Sequence, residues 1–136
     1  MEKSFNLEII SPVKTVFNGE VSSVTIPGTM GSFQVLMNHA PLVSSFEIGM
    51  IKIEKGPEIM EFSTSGGIFE VKNNKAVILA QTIESKEEID LSRARSSKSR
   101  AEMILKMGDV RDDEKTEAKV SLQRANNRIK LAETKK

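Results

Sequence analysis

Residues 1–85 carry a period of two. In FNLEI (5–9), Phe5, Leu7 and Ile9 alternate with Asn6 and Glu8, the pattern of a strand with one buried face. VSSVTI (21–26) turns Val24 and Ile26 to one face, and SFQVLM (32–37) does the same with Phe33, Val35 and Met37. MIKIEKG (50–56) points Ile51 and Ile53 inward and Lys52 outward. IFEV, KNNK and AVILAQ (68–81) read as a hairpin, with Asn73 and Asn74 suited to positive φ at its turn. Turn formers separate these runs: Ser11-Pro12, Asn18-Gly19, Pro27-Gly28, Gly31, Gly56-Pro57 and Gly66-Gly67. Many short strands with frequent turns predict an antiparallel sandwich or flattened barrel.

After residue 85 the period changes. Ala118, Leu122, Ala125, Ile129 and Ala132 step by four and three, one apolar stripe of a helix. Ala94, Ser97, Ala101 and Ile104 form a second stripe, with Leu105 beside it. Between them, Gly108 is placed to end the first helix in a left-handed cap. Asp112, Asp113 and Glu114 stand where the positive end of a second helix favours carboxylates. The short connection predicts an antiparallel pair of helices, each about 30 Å long. Its seam is mostly alanine and serine. At about 25 cal/mol per Å² such a seam stabilises by only a few kcal/mol, so the hairpin is expected to depend on a further surface and to be mobile.

Composition sharpens the division. All six phenylalanines and all four prolines precede residue 85, and all six arginines follow it. Residues 1–85 hold 6 lysines against 9 carboxylates, a charge of −3, whereas residues 86–136 hold 14 cations against 10 carboxylates, a charge of +4. The boundary falls near Glu84–Lys86, giving a strand-rich domain over 1–85 and a helical domain over 86–136. The net charge of +1 gives the whole chain no bulk attraction to nucleic acid. With no cysteine and one histidine, thiolate and His-cluster metal sites are not expected. No apolar run has the length of a membrane span, and MEKSFNLEII has neither secretory nor transit character. His39 lacks the nucleophile and acid pattern of a catalytic site, and SGG (65–67) lacks the Gly-Lys-Ser/Thr of a P-loop and reads as a tight turn. Met30, Met37, Met50 and Met60 read as core or interface filler.

FNLEIISPVKTVFNGEV, GSFQVLMNHAPLV, EIGMIKIEKG, SGGIFEVKNNKAVILAQT, and the tail IDLSRARSSKSRAE with RANNRIKLAE together resemble the epsilon subunit of bacterial F-type ATP synthase. The resemblance covers essentially the whole chain. It implies an antiparallel β-sandwich of about ten short strands followed by a two-helix hairpin. The implied function is non-catalytic. The sandwich binds the gamma subunit and the c-ring at the foot of the central stalk, and so couples ring rotation to the catalytic head. The hairpin lies folded or extends toward the alpha and beta subunits, where it restrains ATP hydrolysis. In some members the folded hairpin binds ATP. The implied location is the cytoplasmic face of the bacterial plasma membrane, held peripherally and without insertion, with a proton or sodium ion as coupling ion.

The tail carries the candidate chemistry. Arg93 and Arg100 precede Ala94 and Ala101, and Arg124 and Arg128 precede Ala125 and Ile129. Four arginines thus edge the seam, and a guanidinium fork suits phosphate oxygens. The bland alternative is a solvated or partner-binding face, with Asp90 and Arg93 as an i,i+3 ion pair. The resemblance matches Ile89-Asp90-Leu91-Ser92-Arg93-Ala94, Arg100, Arg124 and Arg128 to the family's nucleotide-binding pattern, and Glu84 to its acidic residue at the sandwich exit. That implies an ATP site of Glu84, Asp90, Arg93, Arg100, Arg124 and Arg128, with the carboxylates at the adenine or ribose end. Arg95, Lys98, Arg111 and Lys115 are the expected contacts to the catalytic subunits. Gly31 and Ser32, in the loop implied to face the c-ring, and Asn38 and His39 are expected at the rotor interface. Ser32 stands where relatives often carry an acid. A rival reading is a free nucleotide- or nucleic-acid-binding adaptor. The absence of Trp and Tyr, and of Phe after residue 85, argues against base stacking.

Overall fold

The computed structural model describes residues 3–134. The chain divides into two compact units, Met1–Ser85 and Lys86–Lys136.

Among the described residues, the first unit holds eight strands: β1 (Phe5–Ile10), β2 (Thr15–Val21), β3 (Ser23–Ile26), β4 (Phe33–Leu36), β5 (Leu42–Lys55), β6 (Glu58–Lys72), β7 (Lys75–Ala80) and β8 (Ile83–Ser85). Their order is β2-β1-β7-β6-β5-β3-β4, with β8 also on β6. Neighbours are antiparallel except β1 and β7, which run parallel. β5 and β6 form one long ribbon that serves both layers. Its Leu42–Glu47 and Gly66–Val71 part joins β7 and β1, and its Gly49–Lys55 and Glu58–Thr64 part joins β3 and β8. Where the ribbon changes layers, the inward parity flips. Phe46 points in before the bend of β5, and Ile51 and Ile53 after it. Phe62 points in before the bend of β6, and Phe69 and Val71 after it. A strand can shift parity only through an irregular residue. Gly66 and Gly67 occupy that point, with φ of 120° and 159°. SGG is therefore a bend inside β6 rather than the turn expected from sequence. Asn18-Gly19 likewise lies within β2 and is not a turn. Because two strands each do the work of two, the expected ten appear as eight.

One cluster forms the core, drawing Phe5, Leu7, Ile9, Phe69, Val71 and Ile78 from one layer and Val24, Ile26, Val35, Ile51, Ile53 and Phe62 from the other. Asn73 and Asn74 turn β6 into β7 with φ of 53° and 60°, as the sequence predicts.

The second unit opens with a 3-10 turn at Lys86–Glu88, followed by α1 (Leu91–Lys106) and α2 (Asp112–Ala132). The helices are 16 and 21 residues long, roughly 24 and 31 Å, so α1 is shorter than expected. It ends without the left-handed glycine cap: Met107 is the C-cap with ψ of 132°, and Gly108 is not among the positive-φ residues. The acidic first turn of α2 is present, with Asp112, Asp113 and Glu114. Ala94, Ala101, Ala118 and Ala125 are buried, as the stripes predict, but Leu131 is buried where the pattern put Ala132.

Candidate functional site

Arg95 Nη2 donates to Glu133 Oε2 at 2.8 Å. This puts the start of α1 beside the end of α2, so the hairpin is antiparallel. At roughly 100° per residue, Arg93 and Arg100 fall on one flank of the Ala94–Ala101 seam, and Arg124 and Arg128 fall in the same rotational sense from Ala125. In an antiparallel pair, equal sense means the same side. The four arginines therefore share one side of the hairpin. Arg93, Arg100 and Arg124 are exposed and Arg128 is half-buried. Among the described residues, Arg93, Arg100 and Arg124 form no ion pair. Arg93, Arg100 and Arg124, without ion pairs among the described residues, make that side a positive surface suited to an anion with several oxygens.

Asp90 is not the ion-pair partner of Arg93. Its Oδ1 accepts from the Arg93 backbone N–H at 3.0 Å as the N-cap of α1, because the first turn of a helix leaves N–H groups without carbonyl partners. Glu84 is half-buried on β8, in the first unit, opposite Ser63 of β6.

The cations assigned to catalytic-subunit contacts divide. Arg95 is held by Glu133. Arg111 is bound locally, to Glu114 at 3.0 Å and Asp113 at 3.5 Å, where it packs over the acidic start of α2. Lys98 and Lys115 are half-buried and fall on the flank of the seam away from the arginines.

The residues expected at the rotor interface lie at opposite ends of β4. At one end, Gly28 bridges to Phe46, Ser32 Oγ donates to the Ile26 carbonyl at 3.3 Å, and Gly31 has φ of 124°. This loop leaves Met30 wholly exposed. At the other end, Asn38 adopts φ of 60° and its N–H donates to Asn74 Oδ1 at 2.7 Å. His39 Nδ1 lies 2.7 Å from the Ala40 carbonyl. Asn38 thus ties the NHAPL loop to the β6–β7 turn.

Sequence reading missed an exposed apolar strip on the outside of the sheet. Leu79 is registered beside Ile68 and Ile10, with Val43 one row away; Val43, Ile68 and Leu79 are 66%, 49% and 51% exposed. The signal was present, since these residues alternate with the core positions of the same strands. It was hidden because an outward apolar residue looks like any strand residue until the pairing register is known.

The family described as ATP synthase, Delta/Epsilon chain, beta-sandwich domain matches residues 4–86. The long alpha-helix domain of the same chain matches residues 87–133. The chain belongs to the ATP synthase epsilon chain family. A relative named ATP synthase epsilon chain in Desulforamulus reducens is 39% identical, over 98% of this chain and 100% of that one. One of the same name in Desulfitobacterium hafniense is 41% identical, over 97% of this chain and 98% of that one. The expectations of an epsilon-type, non-catalytic subunit and of a sandwich followed by two helices agree with the family. Among solved structures, a chain of the Euglena gracilis mitochondrial ATP synthase (OSCP/F1/c-ring) shares the fold with a TM-score of 0.82 at 18% identity, over 93% of this chain and 80% of that one. A chain of the Tetrahymena thermophila mitochondrial ATP synthase central stalk and c-ring does so with a TM-score of 0.66 at 16% identity, over 93% of this chain and 95% of that one. Among the described residues, no helix is long and apolar enough to cross a membrane.

Proposed function

We propose that the chain is the regulatory subunit at the foot of the central stalk, peripheral on the cytoplasmic face of the bacterial plasma membrane. The sandwich docks on the gamma subunit and the c-ring. The strip of Val43, Ile68 and Leu79 supports a docking face, because apolar rows of this kind are usually covered. The wholly exposed Met30 in the Gly28–Ser32 loop supports a second contact, toward the ring. The hairpin is the movable part: folded, it leaves hydrolysis unrestrained; extended along gamma, it meets the alpha and beta subunits and restrains it. ATP holds the folded form.

The observation that carries the ATP reading is the arginine side of the hairpin, with Arg93, Arg100 and Arg124 free of ion pairs among the described residues. Each charge-assisted contact to a phosphate oxygen contributes about 1.5–3 kcal/mol. ATP at 100 times its dissociation constant stabilises the folded form by about 2.7 kcal/mol, which shifts a two-state hairpin about a hundredfold. The test is calorimetric titration of ATP into the isolated protein. Saturable binding is expected, weakened more than tenfold by Arg93→Ala and by Arg124→Ala. Absence of heat up to millimolar ATP removes the ligand and leaves the stalk role standing.

A further inference from the structure

The seam between α1 and α2 is closed by methyl groups: Ala94, Ala101, Ala118 and Ala125. Such a seam lets helices approach closely but holds them weakly. At the open end of the hairpin, where Leu131 is also buried, two polar contacts join α2 to the beginning of the unit. Glu133, the C-cap of α2, places a carboxylate at the negative end of the helix dipole, where it is disfavoured. Two cations from the beginning of the unit offset this. Arg95, from α1, pairs with the Glu133 carboxylate at 2.8 Å. Lys86, from the 3-10 turn, donates its Nζ to the carbonyl of Thr134, which directly follows the C-cap of α2. The 3-10 turn packs against α2, which keeps Lys86 in reach.

We propose that these contacts form a latch that keeps the hairpin folded, and that opening transfers Arg95 from Glu133 to an acidic surface of the catalytic subunits. This rests on the movable hairpin described above and names the contact that governs it. One guanidinium cannot serve both carboxylate partners at once, so the folded and extended states compete for Arg95. The pair is solvent-exposed, with side chains 59% and 53% accessible. An exposed pair shifts a population by only about two- to fivefold, which lets the latch bias the hairpin without locking it.

The chain has no cysteine, so Ser92→Cys and Lys130→Cys, both at exposed positions, give a clean spin-label pair across the open end of the hairpin. Pulsed dipolar spectroscopy on the full chain then reads the folded and separated populations. Arg95→Glu and Glu133→Arg are each expected to raise the separated population about two- to fivefold, and the double exchange is expected to reverse the rise. Single variants with unchanged distances, or a double exchange no more closed than the singles, overturn the latch. In the assembled complex, Glu133→Arg frees Arg95 and is expected to deepen the restraint on ATP hydrolysis. Arg95→Glu opens the hairpin but removes the contact, and is expected not to deepen it. Equal deepening by both variants overturns the transfer of Arg95. Shifted distances with hydrolysis unmoved in either variant support the latch and instead defeat the reading of the hairpin as a restraint.

Discussion

Gly67 stands where β6 crosses from one layer to the other, and its missing side chain is a packing requirement. A Cβ there would lie 2.0 Å from the Leu79 carbonyl oxygen, 2.9 Å from Phe46 Cζ and 3.0 Å from Ala80 Cα. Two of these neighbours are backbone atoms of β7, which cannot move without disturbing the β6–β7 ladder. Gly67→Ala is therefore expected to destabilise the sandwich by about 3 kcal/mol, at the upper end of overpacking effects. Gly108 gives the contrast. Nothing lies within 4 Å of its Cβ position, and its φ is not positive. Gly108→Ala should stay within about 0.5 kcal/mol of the parent. Urea unfolding followed by far-ultraviolet circular dichroism measures both, since the chain has no Trp or Tyr to report by fluorescence. A neutral Gly67→Ala would show that the crossing does not depend on close approach of the backbones.

At the scale of elements, alternation identified the strands well where a strand keeps one face inward. β1, with Phe5, Leu7 and Ile9 fully buried, is the clearest case. Alternation failed where a strand changes layers, because the parity flip near Gly66 breaks the pattern that defines the strand. The helical stripes were legible for the same reason as β1, down to Ala94, Ala101, Ala118 and Ala125. Leu131 was missed because it lies off the stripe that the alanines define. For the candidate site, spacing put four arginines on one side of the hairpin, but the sequence did not reveal that Arg95 and Arg111 already have acidic partners. Asp90 shows how one residue carries two readings, as N-cap and as ligand contact. Asp90→Ala is expected to remove the cap at a cost of about 1 kcal/mol to α1, lowering helical signal. Asp90→Ser keeps a capping oxygen while removing the charge, so the helix should be retained. If the carboxylate also touches ATP, Asp90→Ser still weakens binding by at least tenfold, the loss of one charge-assisted contact. Titration calorimetry beside circular dichroism separates the two, and unchanged ATP affinity in Asp90→Ser would confine Asp90 to the cap.

For the whole molecule, the two units differ in what holds them together. The sandwich core draws on residues no later than Ile83, including every partly buried apolar residue packed on it. Its strands pair only with one another. Residues 1–85 therefore contain their own core and are expected to fold cooperatively when produced alone. Among the described residues, the buried apolar residues of the hairpin are four alanines and Leu131, and two helices of this length are marginal in water without a larger apolar face. Residues 86–136 alone are expected to be mostly unfolded. Circular dichroism melts of the two fragments test both statements, and a cooperative melt of the isolated hairpin would contradict the weak-seam account. The same difference has a consequence in the assembled enzyme. If docking belongs to the sandwich and restraint to the hairpin, a complex carrying only residues 1–85 should still assemble and couple ion flow to synthesis, while its ATP hydrolysis rises and becomes insensitive to added ATP as a regulator. Loss of assembly with the fragment would move part of the docking surface into the hairpin, and the hairpin could then not leave its folded position without weakening the stalk. A movable restraint requires that its absence cost regulation and not attachment, and this substitution measures the two separately.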